Sequence, residues 1–421
     1  MRKTEIENRA RLESRRITQA WLEQLAADDG SDRKTVYLFT SGDVSELLRA
    51  FDFRVVLPEL IGVQYSVRKC AVQMMHRGEA LGYPPDICGY VKADLGLMTG
   101  PPAGDSPIGQ IPPPDLLVAT HGGCFTHIKW FEALGAHFDC PLFVLDIPFI
   151  TADKPSAFDR GYVRGQLEEL IGLLEETTGK RLDIDTLQTS LELTRQAVDL
   201  WREILRQARN RPAPFDAFFD AASYMAPMTI LRGTQACVDY YRATLNEIED
   251  RAKHRLTPVG QERFRLLFDG PPPWPRLREF RQMFENWGAV GVAATYSGVT
   301  TTFDEIEDQA DPLDFLTELA LHGYLNWNLG KRRTFVETLA KDFSVDGVVI
   351  HSVRSCRPYS VGQLDMRNYL AEEAGMPTLF VDSDLVDPRY FSSAQIMNRI
   401  DTFFEALNRR KEAARRPGQG A

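Results

Sequence analysis

The sequence predicts an α/β protein with two similar parallel-sheet, Rossmann-like domains, an N-terminal helix and a helical connecting region. Short and almost wholly apolar runs alternate with segments of helical spacing near both ends of the chain. This alternation is typical of parallel strands that are covered by helices on both faces. The middle of the chain is instead rich in helix formers with apolar residues three and four apart. A chain of 421 residues is also long enough for two or three domains.

The predicted organisation has five parts along the chain. They are an N-terminal helix over 1–30, a first α/β domain over 31–155, a helical connector over 156–258, a second α/β domain over 259–411 and a tail over 412–421.

Each α/β domain is predicted to contain four strands. The strands are expected at 34–40, 53–59, 115–120 and 141–150 in the first domain, and at 264–270, 289–297, 346–352 and 377–384 in the second. The third strand of each domain begins with an acidic residue and runs towards a cysteine, and the fourth reads PLFVLD in one domain and PTLFVD in the other. We interpret this repetition as two structurally similar domains, as a duplication would produce, although parallel strands resemble one another in any case.

Bulk charge and hydropathy exclude several classes of function. The net charge is −10 and the sequence pI is about 5.4, without a basic patch, which argues against a nucleic-acid partner. The charged N-terminus lacks the apolar core of a signal peptide. Because no stretch approaches the roughly 18 apolar residues of a membrane span, we expect a cytoplasmic protein without a membrane partner.

Three of the six cysteines stand out by position. Cys124 and Cys356 each follow a predicted strand and precede a predicted helix, whose N-terminus favours a thiolate. If the two domains face each other across a cleft, these two cysteines can meet there, with Cys88 from a Gly/Pro-rich loop as a third ligand. Three thiolates suit an iron–sulfur cluster with an open fourth site. The others are interpreted as core or near-core thiols: Cys70 in an amphipathic helix, Cys140 before a strand and Cys237 in a helix.

Spacing alone leaves other chemistries open. Three cysteines with His121 or His351 would satisfy a zinc ion. Cys124 with His121 or His127 could form a catalytic cysteine–histidine pair. Buried thiols without any metal are an equally good interpretation of the pattern.

Five segments together resemble one protein family over nearly the whole chain. They are DICGYVKADLG, DLLVATHGGCFTHIKWFEAL, QLEELIGLLEETTGKRLD, FRLLFDGPPPW and RSCRPYSVGQLDMRNYLAEEAGMPTLFVDSDLVDPR. The chain is similar to the family of 2-hydroxyacyl-CoA dehydratases and ATP-dependent benzoyl-CoA reductases. SCRPYSVGQLD and the chain length favour the larger cluster-bearing subunit of the reductase branch over a dehydratase subunit.

The resemblance implies a cofactor and several partners. It implies one [4Fe–4S] cluster held by Cys88, Cys124 and Cys356, a homologous cluster-bearing sister subunit, and an ATP-hydrolysing iron–sulfur activator. The implied activity is radical chemistry on an acyl-CoA substrate: reduction of an aromatic ring to a cyclic diene with ferredoxin as donor or, in the dehydratase branch, loss of water. The competing class is a non-catalytic or zinc-stabilised α/β binding protein of the same fold.

Four further residues have two interpretations each. His121 and His351, expected at matching strand ends, could hydrogen-bond to the cluster or give protons to the substrate, or could simply bind loop backbone. Arg354 and Arg357 flank Cys356 and could offset cluster charge or bind a CoA phosphate, or could be ordinary surface arginines.

Overall fold

The structure is a computed structural model that describes residues 8–27, 30–39, 44–98, 108–152, 154–298, 306 and 311–415. The chain divides into two compact units. The first takes its described residues from Met1–Ile204, Ser223–Glu247 and Val299–Asn328, and the second from Leu205–Ala222, Ile248–Gly298 and Leu329–Ala421. The segment predicted as a connector over 156–258 therefore contributes residues to both units.

Each unit contains a four-stranded parallel sheet. The first sheet consists of β1 (Thr35–Leu38), β2 (Arg54–Val56), β3 (Leu116–His121) and β4 (Leu142–Asp146), in the order β2-β1-β3-β4. The second consists of β5 (Phe264–Asp269), β6 (Ala289–Ala294), β7 (Gly347–Val353) and β8 (Thr378–Ser383), in the order β6-β5-β7-β8. Both sheets have the same strand order, so the predicted fold class of two similar parallel-sheet domains is confirmed.

Helices precede, separate and follow the strands in the sequence. In chain order they are α1 (Arg9–Ala26), α2 (Ser45–Ala50), α3 (Pro58–Val67), α4 (Ala71–Ala80), α5 (Gly89–Met98), α6 (Phe125–Phe138), α7 (Ala157–Thr178), α8 (Ile184–Gln207), α9 (Ala221–Tyr224), α10 (Ala226–Ile230), α11 (Gln235–Lys253), α12 (Leu277–Glu285), α13 (Thr295–Gly298), α14 (Pro312–Leu321), α15 (Leu329–Asp342), α16 (Arg357–Ser360), α17 (Gln363–Asn368) and α18 (Ser393–Arg415). Among the described residues, no helix combines the length and apolar character needed to cross a membrane.

The structure describes only parts of the predicted N-terminal helix and C-terminal tail. Helix α1 lies within the predicted 1–30 segment, whose residues 1–7, 28 and 29 are outside the described part. Helix α18 runs into the predicted tail as far as Arg415, and residues 416–421 are likewise outside it.

The acidic residue before the third strand makes the same pair of hydrogen bonds in both sheets. The backbone N–H of Thr35 donates to the Asp115 carboxylate at 2.7 Å, and the N–H of Asp115 donates back to the Thr35 carbonyl at 2.8 Å. In the second sheet, the N–H of Arg265 donates to the Asp346 carboxylate at 2.9 Å, and the N–H of Asp346 donates back to the Arg265 carbonyl at 2.8 Å. The acid that leads each third strand therefore fixes the register of that strand on its neighbour.

This shared register corrects the predicted equivalence of the two histidines. His121 pairs with Asp146 across β3 and β4, and the corresponding pair across β7 and β8 is Ser352 with Asp382. His351 lies one residue earlier than Ser352, so it points to the opposite face of its sheet. The expectation that His121 and His351 occupy matching positions is therefore wrong.

One predicted helix is interrupted. The spacing near 64–80 predicts a continuous helix, but the segment separates into α3 and α4 at Lys69, which adopts the left-handed conformation with φ of 63°. Cys70 is consequently the residue that precedes α4, not a residue within a helix.

Helix α5 lies unusually close to α4 because glycines line the contact. A Cβ atom added at Gly96 would lie 1.9 Å from the Met74 carbonyl oxygen, and one at Gly78 would lie 2.6 Å from the Lys92 carbonyl oxygen. No side chain larger than hydrogen fits at either position without moving a backbone. The close approach fixes the position of α5, which begins directly after Cys88.

We predict that Gly96→Ala lowers the free energy of unfolding by at least about 2 kcal/mol, because the added methyl group overlaps backbone rather than a flexible side chain. Gly161→Ala is the matched control, since it also lies within a helix but has nothing within 4 Å of an added Cβ. This control should be neutral or stabilising by about 0.5–1 kcal/mol. Thermal unfolding midpoints measure both effects, and equal midpoints for the two variants would contradict the packing described for α5.

Candidate functional site

The three predicted ligand cysteines each lie directly before a helix. Cys88 precedes α5 in the first unit, Cys124 is the N-cap of α6 in the same unit, and Cys356 is the N-cap of α16 in the second unit. The carbonyl of each cysteine accepts a bond from an N–H in the first helical turn, at 3.1, 3.3 and 3.0 Å respectively. The predicted placement of Cys124 and Cys356 before helices is confirmed.

The other three cysteines have internal surroundings. Cys237 lies fully buried in α11, with its thiol 3.6 Å from the Pro227 carbonyl oxygen. The half-buried Cys70 thiol donates to the Tyr65 carbonyl at 3.4 Å, and half-buried Cys140 lies just before β4. Burial raises the pKa of all three thiols, as expected for core or near-core cysteines.

A glycine allows the turn that leads from the end of β3 to Cys124. Gly123 has a φ of 87°, and a Cβ atom there would lie 2.4 Å from the Leu325 carbonyl oxygen. The short 3₁₀ helix Tyr324–Asn326 that carries Leu325 is itself tied to the loop after β4, since the Asn326 amide donates to the Pro148 carbonyl at 2.8 Å. The loops after β3 and β4 therefore share one covering segment in the first unit.

Two influences act in opposite directions on the Cys124 thiol. Burial raises the pKa of Cys124, and the nearby Glu59 carboxylate adds to this rise. The backbone N–H groups of His127 and Thr126 and the Thr126 hydroxyl oppose it. The first turn of α6 thus offers the sulfur the donors that a thiolate requires.

The loop that carries Cys88 is held by a buried lysine. Lys92 is 1% exposed, and its ammonium donates to the Pro85 carbonyl at 2.5 Å and to Glu79 at 3.2 Å. A charged group is stable at such depth only when it is paired. Lys92 therefore secures the turn preceding Cys88 to both α4 and α5.

A buried hydrogen bond joins the helices that begin after Cys88 and Cys124. The indole N–H of Trp130 in α6 donates to the Asp94 carboxylate in α5 at 2.7 Å, and both residues are 1% exposed. Burial raises the pKa of Asp94 to about 7, and the bond from Trp130 only partly opposes the rise. The second carboxyl oxygen of Asp94 has no hydrogen-bond partner among the described residues.

The loop that carries Cys356 is anchored by a different buried acid. The hydroxyl and N–H of Ser355 donate to one Asp384 oxygen at 2.5 and 3.2 Å, and the other oxygen accepts the N–H groups of Val386 and Asp387 at 2.9 and 3.0 Å. Asp384 is 1% exposed. One carboxylate thereby holds the loops after β7 and β8 together beside the cysteine.

Both predicted arginines are exposed and have local contacts. The Arg354 guanidinium lies over the Tyr390 ring at 4.9 Å, and Arg357 donates to the Arg354 carbonyl at 2.6 Å. These contacts suit the interpretation as surface arginines, and phosphate binding stays a prediction.

The two predicted histidines differ in their surroundings. His351 is fully buried, with Nδ1 2.5 Å from the Pro271 carbonyl oxygen and Nε2 2.6 Å from the Ser383 hydroxyl, and burial lowers its pKa. Both of its ring nitrogens are therefore engaged within the second unit. His121 has a side chain that is 32% exposed, and its Nδ1 lies 2.8 Å from the Asp146 carboxylate.

A cysteine–histidine pair of Cys124 with His127 finds no support in the geometry. The His127 ring is buried against Phe39, with ring centroids 3.5 Å apart, and burial lowers its pKa to about 3. In the part of the chain that the structure describes, this ring makes no hydrogen bond to the Cys124 thiol.

The donor chemistry of the three predicted ligand cysteines suits an iron–sulfur cluster. Within the described ranges, no group of three or more His, Cys, Asp or Glu side chains is placed to hold a metal ion. Cys88, Cys124 and Cys356 nevertheless supply three thiols on anchored loops next to helical N–H groups. Thiolates so placed are the ligands that iron–sulfur clusters use, and the ligand set stays a prediction.

Sequence reasoning missed the acids that hold these loops. Asp94 and Asp384 were visible only as polar residues next to apolar positions, which does not reveal their partners. Asp146 stands out in the sequence only as the last residue of the repeated PLFVLD motif.

We predict that Asp94 makes the stability of the protein depend on pH. The unfolded chain releases this proton near the ordinary carboxyl pKa of about 4, whereas the folded protein keeps it up to about pH 7. The contribution of Asp94 to the free energy of unfolding therefore falls as the pH rises from about 4 to about 7, and is level above that. Asp94→Asn removes this dependence.

Thermal unfolding midpoints of the two proteins, compared at several pH values across that window, measure the effect. The midpoint of Asp94→Asn should rise relative to wild type with increasing pH. A difference that is constant with pH would contradict a buried, protonated Asp94.

Comparisons with known proteins identify the relatives of this chain. The family model described as 2-hydroxyglutaryl-CoA dehydratase, D-component, matches residues 44–407. A benzoyl-CoA reductase subunit of Thauera aromatica is 38% identical over 403 residues, which cover 93% of each chain. The (R)-phenyllactyl-CoA dehydratase alpha subunit of Clostridium sporogenes is 30% identical over 87% of this chain and 88% of its own. The (R)-2-hydroxyisocaproyl-CoA dehydratase alpha subunit of Clostridioides difficile is 28% identical over 89% and 91%. The resemblance seen in the sequence is confirmed, and the chain belongs to the 2-hydroxyglutaryl-CoA dehydratase D-component family.

Proposed function

We propose that this chain is the iron–sulfur subunit of an ATP-dependent benzoyl-CoA reductase, which reduces an aromatic acyl-CoA to a cyclic dienoyl-CoA. The observation that carries the proposal is the 38% identity to the benzoyl-CoA reductase subunit of Thauera aromatica over 93% of both chains. Identity to three dehydratase alpha subunits of the same family is 30%, 28% and 26%. The margin favours the reductase branch within one family.

Cys88, Cys124 and Cys356 are the proposed ligands of one [4Fe–4S] cluster. The cluster would supply electron transfer one electron at a time at low potential. The chain's own residues would hold it: Lys92 fixes the turn before Cys88, and Asp384 fixes the loop of Cys356. Arg354 and Arg357, both exposed beside Cys356, are proposed to bind a CoA phosphate.

The names of the relatives support one of the proposed partners, a sister subunit. Each of these relatives is named as one subunit of its enzyme, so each belongs to an enzyme of several subunits. We expect a homologous cluster-bearing sister subunit, an ATP-hydrolysing iron–sulfur activator and a ferredoxin as electron donor, in the cytoplasm.

A second candidate is a subunit of a radical 2-hydroxyacyl-CoA dehydratase. The family description itself and the (R)-phenyllactyl-CoA dehydratase relative favour it. An aromatic acyl-CoA substrate would be common to this relative and to the benzoyl-CoA reductase.

The cysteine assignment predicts which substitutions remove iron. Cys88→Ala, Cys124→Ala and Cys356→Ala should each lower the iron and sulfide content of protein purified without oxygen by more than half, because a cluster with two thiolate ligands is weakly held. Cys70→Ala is the matched control, since Cys70 also directly precedes a helix and is half-buried like Cys88 and Cys356.

Iron content and the electron paramagnetic resonance spectrum of the reduced protein measure the outcome. The control should keep both at the wild-type level. Full iron content in any of the three ligand variants would remove that cysteine from the proposed set.

Turnover distinguishes the two candidate reactions. The chain, assembled with its sister subunit, activator, ATP and reductant, should convert benzoyl-CoA to a cyclic dienoyl-CoA and should not dehydrate phenyllactyl-CoA. Mass spectrometry of the thioester products distinguishes a gain of two hydrogens from a loss of water. Dehydration without ring reduction would replace the reductase proposal with the dehydratase.

A further inference from the structure

A hydrogen-bonded set of three side chains lies at the carboxyl edge of the first sheet. His121 ends β3 and Asp146 ends the neighbouring β4. The His121 Nδ1 is 2.8 Å from one Asp146 oxygen, and the Tyr162 hydroxyl donates to the other at 2.8 Å. Ligands of parallel sheets bind at this edge, where the loops that follow the strands gather.

The backbone of Asp146 is also held on both sides. Its N–H donates to the Gln166 side-chain oxygen at 2.8 Å, and its carbonyl accepts the Gln166 amide at 2.8 Å. Gln166 and Tyr162 both belong to α7, which lies along the end of β4. Asp146 is therefore fixed by four hydrogen bonds from neighbouring elements.

The contacts determine the tautomer of His121. Burial raises the pKa of Asp146, but the bonds from His121 and Tyr162 outweigh it and hold that pKa below its ordinary value. An ionised carboxylate only accepts hydrogen bonds, so Nδ1 must be the protonated nitrogen of a neutral His121. Nε2 makes no hydrogen bond to any described residue.

An aromatic ring lies beside the His121 imidazole. The imidazole is 32% exposed, and the Phe125 ring packs edge-on against it with centroids 5.8 Å apart. Phe125 is itself 61% exposed. A partly exposed imidazole thus lies beside an exposed aromatic ring.

The second sheet has no counterpart of this set. The register places Ser352 and Asp382 where the first sheet has His121 and Asp146. His351 uses both ring nitrogens internally. A partly exposed histidine that is oriented by a carboxylate therefore occurs in the first sheet alone, among the strand pairs described.

We infer that His121 is the residue that gives a proton to the reduced acyl group, and that Asp146 and Tyr162 are positioning residues that hold its imidazole. This inference rests on the proposed function. An imidazole oriented by a carboxylate through Nδ1 is the usual arrangement of a general acid or base.

The proton transfer balances simply. Reduction of the aromatic acyl group to a diene takes up two electrons, from a one-electron donor such as a reduced ferredoxin, and two protons. His121 as imidazolium gives one of these protons: its Nε2–H bond breaks, a C–H bond forms on the ring, and neutral imidazole remains. A proton from solvent then restores the imidazolium, and the second proton comes from solvent.

The tautomer can be tested without any turnover. Nitrogen-15 chemical shifts of labelled histidine should show neutral His121 protonated at Nδ1, and Asp146→Asn should shift this signal strongly. A neutral His121 protonated at Nε2 would overturn the inference.

The chemistry is tested in the assembled enzyme with benzoyl-CoA. His121→Asn should lower kcat by about 10²-fold or more, with KM within about threefold and iron content unchanged. Tyr162→Phe should lower kcat less. His137→Asn, at an exposed histidine near the end of α6, is the control and should leave kcat unchanged.

Chemical rescue separates a proton donor from a structural residue. Added imidazole should restore part of the kcat of a His121→Gly enzyme, because a free base can occupy the emptied space. A His121→Asn enzyme that keeps its kcat, or that loses its iron, would overturn the inference while an active wild type upholds the proposed function. A wild type with no ring-reducing activity would overturn both.

Discussion

The hydrogen bond between Trp130 and Asp94 is the constraint on which the arrangement of the first unit most depends. It joins α5 to α6, and these helices begin directly after Cys88 and Cys124. Both partners are buried, so loss of either one leaves a polar group without compensation, at a cost of about 1–3 kcal/mol. Since Gly96 also fixes α5 against α4, the two cysteine-bearing helix starts are held in one framework of packed helices.

In the second unit, a different interaction holds the loop that carries the cysteine. Its cysteine loop contains no aromatic–acid pair of this kind among the described residues, and depends on the buried Asp384 carboxylate instead. The two sheets share strand order and the acidic contact at Asp115 and Asp346, whereas the loops at their carboxyl edges have diverged. A common scaffold with different loops explains why only the first sheet, among the strand pairs described, carries an exposed histidine oriented by a carboxylate.

The sequence was sufficient to predict four strands in each domain, because apolar runs bounded by turn residues carry a strong local signal. The predicted strands at 53–59 and 289–297 were too long, since helices begin at Pro58 and Thr295. The sequence was also sufficient to place Cys124 and Cys356 before helices. Prediction from the sequence failed where one residue changes the course of the backbone, or where a side chain has its partner far away in the sequence. Lys69 breaks a helix through its left-handed backbone, and a one-residue offset sends His351 to the face opposite that of His121. Nothing near Asp94 in the sequence indicates that Trp130, 36 positions away, is its partner.

The proposed function depends on an iron–sulfur cluster held by this chain. The most direct measurement is the iron and acid-labile sulfide content of the protein purified without oxygen together with its proposed sister subunit, combined with electron paramagnetic resonance of the reduced form. We expect about four iron and about four sulfide per cluster-bearing chain and the spectrum of a reduced [4Fe–4S] cluster. Protein that contains zinc, or that contains no metal when oxygen has been excluded throughout, would contradict it.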